Sequence, residues 1–177
     1  NPTIEEVILS GGDPLLLSDA KISQLLRRLD GMDHVKRCRI HSRLPVVLPQ
    51  RLTPSLAHIL SSSRLQVIMV THINHAQELG AFEAQWIRKF QRKDVVWLNQ
   101  SVLLKGVNDS AEALIALSHR CFEVGILPYY LHLLDPVQGA QHFAVSLSGA
   151  QSLHHALCAQ LPGYLVPKLV KEAPGQT

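Results

Sequence analysis

The sequence predicts an α/β fold, a parallel sheet covered by helices and shaped as a partial (β/α) barrel, on three observations. Five short apolar runs rich in β-branched residues alternate with segments whose apolar residues recur every three or four positions. These runs are apolar on both faces, as strands of a helix-covered parallel sheet are. Each run also ends in a polar cluster: Ser10-Gly11-Gly12-Asp13, His41-Ser42-Arg43, Thr71-His72-Ile73-Asn74-His75, Asn99-Gln100-Ser101, and His132 to Asp135. An open doubly wound sheet needs functional ends only near its switch point, whereas a barrel turns every strand's C-terminal end toward one face. Five polar ends out of five favour a barrel or part of one.

The strands are expected at Glu6 to Ser10, Val35 to His41, Gln66 to Thr71, Val95 to Gln100 and Leu127 to Leu133. In the first helical segment Ser18 can cap, Ile22, Leu25, Leu26 and Leu29 form one stripe, and Gly31 marks the end. The second has Thr53 as N-cap and Pro54 at the first helical position, followed by Leu56, Ile59 and Leu60. The third is expected from about Glu78 to Arg92, with Phe82, Trp86 and Phe90 at steps of four and the Trp86/Phe90 stripe facing the core. The fourth starts near Asp109-Ser110 and stops at Gly125, a left-handed cap. The fifth runs from Ser148 to about Leu161, and Tyr164 to Pro167 can begin another strand or a closing segment. Tyr129-Tyr130 reads as barrel packing.

Composition agrees. The 177 residues are 46% hydrophobic, and 17 Lys+Arg against 14 Asp+Glu leave a net charge of +3. Collagen-like, mucin-like and disordered classes are excluded by that apolar content. No run of 18 apolar residues is present to span a membrane. Without a basic cluster beyond Arg27-Arg28 and Arg88-Lys89, a nucleic-acid partner has little support. No signal-peptide pattern opens the chain, and it reads as an internal piece of a longer protein. Cys38, Cys121 and Cys158 are odd in number and far apart, so a disulfide framework and a cysteine-built metal site are not expected within the segment. Cys121 and Cys158 are expected to be buried on apolar helix faces.

Among the polar clusters, Gly11-Gly12 permits positive φ and close backbone approach, and Asp13 offers a carboxylate to an ammonium or hydroxyl; a plain βα turn would use the same residues. The loop is neither GxGxxG nor a phosphate-cradling P-loop. His72 and His75 lack a third ligand nearby, which favours polar contacts or turn chemistry over zinc. Gln100 and Ser101 end an apolar strand, so a neighbouring loop or a ligand must satisfy them. Asp135, beside Pro136, is either a ligand group or an Asx turn.

These clusters, in this order, resemble the lysine 2,3-aminomutase family of radical S-adenosylmethionine enzymes. The stretches that carry the resemblance are EVILSGGDPLLLSD, RIHSRLPVVLPQRLTP, THINHAQE, LNQSVLLKGVND, LPYYLHLLDPVQGAQHF and GYLVPKLV. They run through nearly the whole chain. The last two are most similar to the branch that makes (R)-β-lysine for elongation factor P, beside that factor's lysyl ligase.

The resemblance implies an incomplete (β/α) barrel, S-adenosylmethionine on a [4Fe–4S] cluster as radical source, pyridoxal 5′-phosphate holding the substrate amine, and an external electron donor. It implies that Gly11, Gly12 and Asp13 stand beside the methionyl amine of S-adenosylmethionine. Ser42, Arg43, His72, Gln100 and Ser101 match positions near the two organic cofactors; a guanidinium such as Arg43's suits a carboxylate or phosphate. Asp135 and Glu172 match the carboxylates that receive the ammonium of L-lysine, with glutamate at 172 and histidine at 132 departing from the clostridial pattern. Two carboxylates are what a buried ε-ammonium needs, because an unpaired buried charge costs several kcal/mol. The resemblance places the cluster cysteines upstream and the pyridoxal lysine downstream of this segment, which is therefore expected to be inactive alone; the scattered cysteines make a reduced, cytoplasmic compartment the expected location. The same chemistry on another amino acid, and a non-catalytic binding remnant, are the alternatives; a homo-oligomer remains open.

Overall fold

A computed structural model describes residues 1–91, 94–136 and 138–171. Six parallel strands hydrogen-bond in sequence order, β1 (Glu6–Leu9), β2 (Arg37–Ser42), β3 (Gln66–His72), β4 (Val95–Leu103), β5 (Leu127–Leu133) and β6 (Lys168–Val170). The sheet does not close, in keeping with a partial barrel. The helices are α1 (Asp19–Asp30), α2 (Leu44–Val47), α3 (Pro54–Ser61), α4 (Ala81–Phe90), α5 (Ala111–Glu123) and α6 (Leu147–Gln160). The chain forms two compact units, one of Asn1–His72 with Gly80–Leu98, the other of Ile73–Leu79 with the described residues from Asn99 onward.

In the first unit β2 alternates strictly, burying Cys38, Ile40 and Ser42 and leaving Arg37, Arg39 and His41 half-buried. The register pairs Cys38, Ile40 and Ser42 with Val67, Met69 and Thr71 of β3, so the buried side of one strand continues into the next. Helix α1 packs on α3 and supplies Ile22, Leu26 and Leu29 to the core. Both starts obey the expected caps: Ser18 accepts from the Lys21 amide and Thr53 from the Leu56 amide.

The expected third helix needs correction. Glu78 does not begin it; Ala76–Glu78 is a 3-10 turn, and α4 starts after Gly80. Its expected end at Arg92 lies outside the described residues. Phe90 is buried at 3% exposure, but Trp86 is half-buried and Phe82 stands 48% exposed, edge-on to Trp86 at 6.3 Å. A step of four residues overshoots a 3.6-residue turn by about 40°, so two steps carry Phe82 off the buried face. Ala84, Ile87 and Phe90 form that face instead. Short helix α2 is not among the five helical segments expected from the sequence; Pro45 sits in its first turn, where no donor is lost.

In the second unit Leu103 of β4 and Leu131 of β5 join Leu114 of α5, Ala150 and Leu157 of α6, and Leu165 in one core. The side of β4 and β5 that carries those leucines is therefore the helix-covered side. Helix α5 is capped by Ser110, which accepts from the Ala113 amide. At its end the Ile126 amide bonds the Cys121 carbonyl (2.9 Å) and the Gly125 amide bonds Phe122 (2.9 Å), with Gly125 at φ 79°. This is the Schellman arrangement, and the left-handed glycine is required. Gly125→Ala should lower stability by about 1 kcal/mol, read as a shift of the urea midpoint at constant m. Helix α6 begins one residue earlier than the sequence suggests, at Leu147, because Ser146 is the cap. The sixth strand forms just after the expected segment, at Lys168–Val170.

Cys38 and Cys121 are buried, but Cys158 is exposed, against expectation. It lies one residue, about 100°, from buried Leu157, and that rotation takes it out of the core. Burial pushes the Cys38 thiol up to about 11, helped by the Asp30 and Glu6 carboxylates. Burial likewise takes Cys121 to about 12, with Glu78 adding to the shift and Arg120 opposing it. No helix among the described residues is long and apolar enough to cross a membrane.

Candidate functional site

The first unit presents a polar knot at the C-terminal ends of β1 and β2. Gly11 and Gly12 take φ 79° and 63°, and a Cβ at either would meet nothing within 4 Å. What demands glycine there is backbone shape, and the space above the turn is open. The turn delivers Asp13, whose carboxylate accepts the Ser42 hydroxyl (2.8 and 3.0 Å), the Arg43 amide (2.8 Å) and the Leu15 amide (3.0 Å). The hydroxyl that the sequence analysis allowed as Asp13's partner is thus Ser42. Ser42 also accepts from the Leu44 amide at 3.1 Å, so the knot fixes the first turn of α2. Arg43 caps that helix, exposed to solvent.

Arg51, which sequence reasoning passed over, supports this knot from behind. Its Nε donates to the Leu15 carbonyl (2.7 Å), one Nη to Leu17 (3.0 Å), and the other pairs with Asp19 at 2.8 Å. A planar guanidinium with donors on three sides is suited to tying a loop to a helix start. His72, the last residue of β3, is half-buried in the same unit.

In the second unit β4 alternates through its polar end. Asn99 and Ser101 are buried on the side of Leu103, whereas Gln100 is half-buried on the other side. Ser101 donates to the Tyr130 carbonyl at 3.4 Å and lines a small cavity with Leu114, Leu117 and Cys121 of α5. Asn99 engages the backbone of Ile73, accepting from its amide (3.0 Å) and donating to its carbonyl (3.0 Å).

Two further asparagines complete this clamp. Asn74 Oδ1 accepts from the Val102 amide (2.9 Å); Asn108 Nδ2 donates to the Asn74 and Val102 carbonyls (2.8 and 2.9 Å) and its Oδ1 accepts from the Leu104 amide (2.7 Å). Glu78 accepts from the amides of Asn74 and His75 (2.7 and 2.9 Å), and His75 Nδ1 accepts from Gln77. His75 is thereby a turn cap. The one local signal for Asn108 is its place after the Gly106 turn, which says nothing of its distant partners.

His132 and Tyr130 share one side of β5, with ring centroids 5.4 Å apart. Tyr130 and Tyr129 are half-buried with their hydroxyls bonded at 2.9 Å. Asp135 is exposed and makes no hydrogen bond or ion pair among the described residues. Glu172 lies outside the described residues. The structure thus joins Gly11, Gly12, Asp13, Ser42 and Arg43 in one knot, whereas Ser101 reaches only the backbone carbonyl of Tyr130 from the helix-covered side, and the rings of Tyr130 and His132 pair on the other side of β5.

This fold defines a class. A radical SAM methyltransferase from Sphaerobacter thermophilus superposes with a TM-score of 0.66 at 16% identity, over 95% of this chain and 51% of that one. Streptococcus suis SuiB, solved bound to S-adenosylmethionine, gives 0.65 at 17% identity over 95% of this chain and 39% of its own. The fold is that of radical SAM enzymes. No known protein-family profile matches the chain. Sequence relatives narrow the class. The L-lysine 2,3-aminomutase of Haemophilus influenzae is 51% identical over 173 residues, which are 98% of this chain and 51% of that protein. That of Escherichia coli is 48% identical over 176 residues, 99% and 52%. The chain is homologous to the lysine 2,3-aminomutases and spans about half the length of these curated relatives.

Proposed function

We propose that the chain is the barrel segment of a radical SAM, pyridoxal phosphate-dependent L-lysine 2,3-aminomutase, an isomerase forming (R)-β-lysine for the modification of elongation factor P. The observation that carries this reading is identity of about half the residues to proteins of that name across nearly the whole chain. The open space over Gly11-Gly12, at the end of a strand, suits the approach of a ligand to the backbone. Gly11, Gly12, Asp13, Ser42, Arg43, His72, Gln100 and Ser101 are the residues assigned to the cofactors. When bound, S-adenosylmethionine on its [4Fe–4S] cluster supplies a carbon radical, and pyridoxal phosphate carries the migrating amine.

The chain's own part is to bind and orient. Asp13 holds three donors, which fix its carboxylate at the end of that turn. Asp135, with no partner among the described residues, is a carboxylate available to the substrate ammonium. Glu172 is assigned as its companion and His132 as a wall of the same pocket. Partners are L-lysine, an electron donor and the elongation factor P pathway with its ligase, in the cytoplasm. The segment alone is expected to be inactive.

The test is an anaerobic assay of the complete gene product with lysine, S-adenosylmethionine and pyridoxal phosphate. β-Lysine should form, and Asp135→Asn should reduce its formation at least about tenfold. Turnover of another amino acid with none of lysine would assign the chemistry to a different substrate. A gene product without any turnover and without a CxxxCxxC loop would make it a binding remnant.

A further inference from the structure

Outside both polar knots, the exposed face of α6 carries a second arrangement of reactive groups. Cys158 Sγ lies 3.8 Å from Nδ1 of His154, one helical turn earlier. His154 Nε2 lies 2.9 Å from the Pro167 carbonyl oxygen. A carbonyl only accepts, so Nε2 carries the hydrogen and Nδ1 of the neutral ring is left as an acceptor aimed at the thiol. Nucleophile, base, and a third group that orients the base are the three parts of an activated nucleophile. They border a surface hollow of about 410 Å³, lined also by Leu161, Val166 and Lys168. The other two cysteines are buried, and their thiols are held protonated up to about 11 and 12.

We infer that Cys158 is a site of thiol–disulfide exchange, taking small disulfides that carry carboxylates. The Cys158 proton passes to His154 Nδ1 as the sulfur attacks one sulfur of the disulfide. The Cys158–S bond forms, the S–S bond of the reagent breaks, and the released thiolate takes the proton from His154. One disulfide is consumed and one mixed disulfide formed, so no other oxidant is needed. Lys168, which lines the same hollow, is the cation that the reagent's carboxylates would meet.

The 177-residue chain is incubated with oxidised glutathione, and modification is followed by peptide mass mapping. Cys158 should react about tenfold faster than the same thiol in an unstructured peptide spanning 150–164, while Cys38 and Cys121 stay unmodified. His154→Gln should bring the rate to within about twofold of the peptide, and silence of Cys38 and Cys121 in that variant shows that it remains folded. Lys168→Gln should slow reaction with oxidised glutathione and leave reaction with neutral hydroxyethyl disulfide unchanged. A wild-type rate equal to the peptide's, or a folded His154→Gln variant as fast as wild type, would overturn the site. Equal slowing of both reagents by Lys168→Gln would overturn its preference for carboxylates.

Discussion

Asp13→Asn should cost about 1–2 kcal/mol of stability, and Asp13→Ala about 2–3 kcal/mol, although the residue stands on a loop. The carboxylate is the acceptor for three different donors: Ser42 Oγ, the Arg43 amide and the Leu15 amide. The Arg43 amide meets Oδ2 and the Leu15 amide meets Oδ1, so both oxygens are occupied. An asparagine can present one oxygen; its NH₂ would then face an amide donor. Alanine removes all these acceptors, among them the Leu15 bond that caps the following 3-10 turn Pro14–Leu16. Ser42→Ala should cost less, about 1 kcal/mol, because Asp13 keeps its two amides. Urea unfolding of the three variants checks the order. Should Asp13→Asn match wild type in its midpoint, the knot would contribute nothing, and the carboxylate would be there for a ligand alone. Under the proposed function, the same change in the complete gene product should also lower turnover of lysine, since it frees the turn that bears Gly11 and Gly12.

Much of this arrangement was legible from residue order. Short apolar runs rich in β-branched residues located five strands to within a few residues, and Ser18, Thr53 and Ser110 serve as helix caps where their local sequence says they should. Gly11, Gly12 and Gly125 have the positive φ that a strand-end turn and a helix stop ask for. Local chemistry determines those features, and local sequence therefore carries them. What stayed hidden depends on partners far along the chain. Glu78 looks like the first turn of a helix, but its carboxylate is spent on the amides of Asn74 and His75. Leu157 and Cys158 both fit an apolar helix pattern, and only packing decides which faces the core. Arg51 reads as one more surface charge until the carbonyls of Leu15 and Leu17 arrive beside it.

The asparagines are the extreme case of that dependence, and they lead to the largest expected effect. Asn108 has no exposed surface, yet its amide makes three hydrogen bonds to backbone groups of Asn74, Val102 and Leu104. Asn108→Asp preserves shape and volume while replacing the donor end with an oxygen that faces two carbonyls. A buried carboxylate there has one amide partner and two repelling neighbours, and the cost should be about 3–5 kcal/mol. Asn108→Ala, which leaves three buried backbone groups without partners, should cost about 3 kcal/mol. Because these bonds tie the Ile73–Leu79 loop to the end of β4, the damage should be local before it is global. Amide exchange should quicken first at Val102 and Leu104, whose acceptors are Asn74 and Asn108, while the Leu15 amide in the other unit keeps its protection. Uniform loss of protection would mean that Asn108 acts through general core packing. Unchanged exchange at Leu104 would mean that its amide does not depend on this side chain at all.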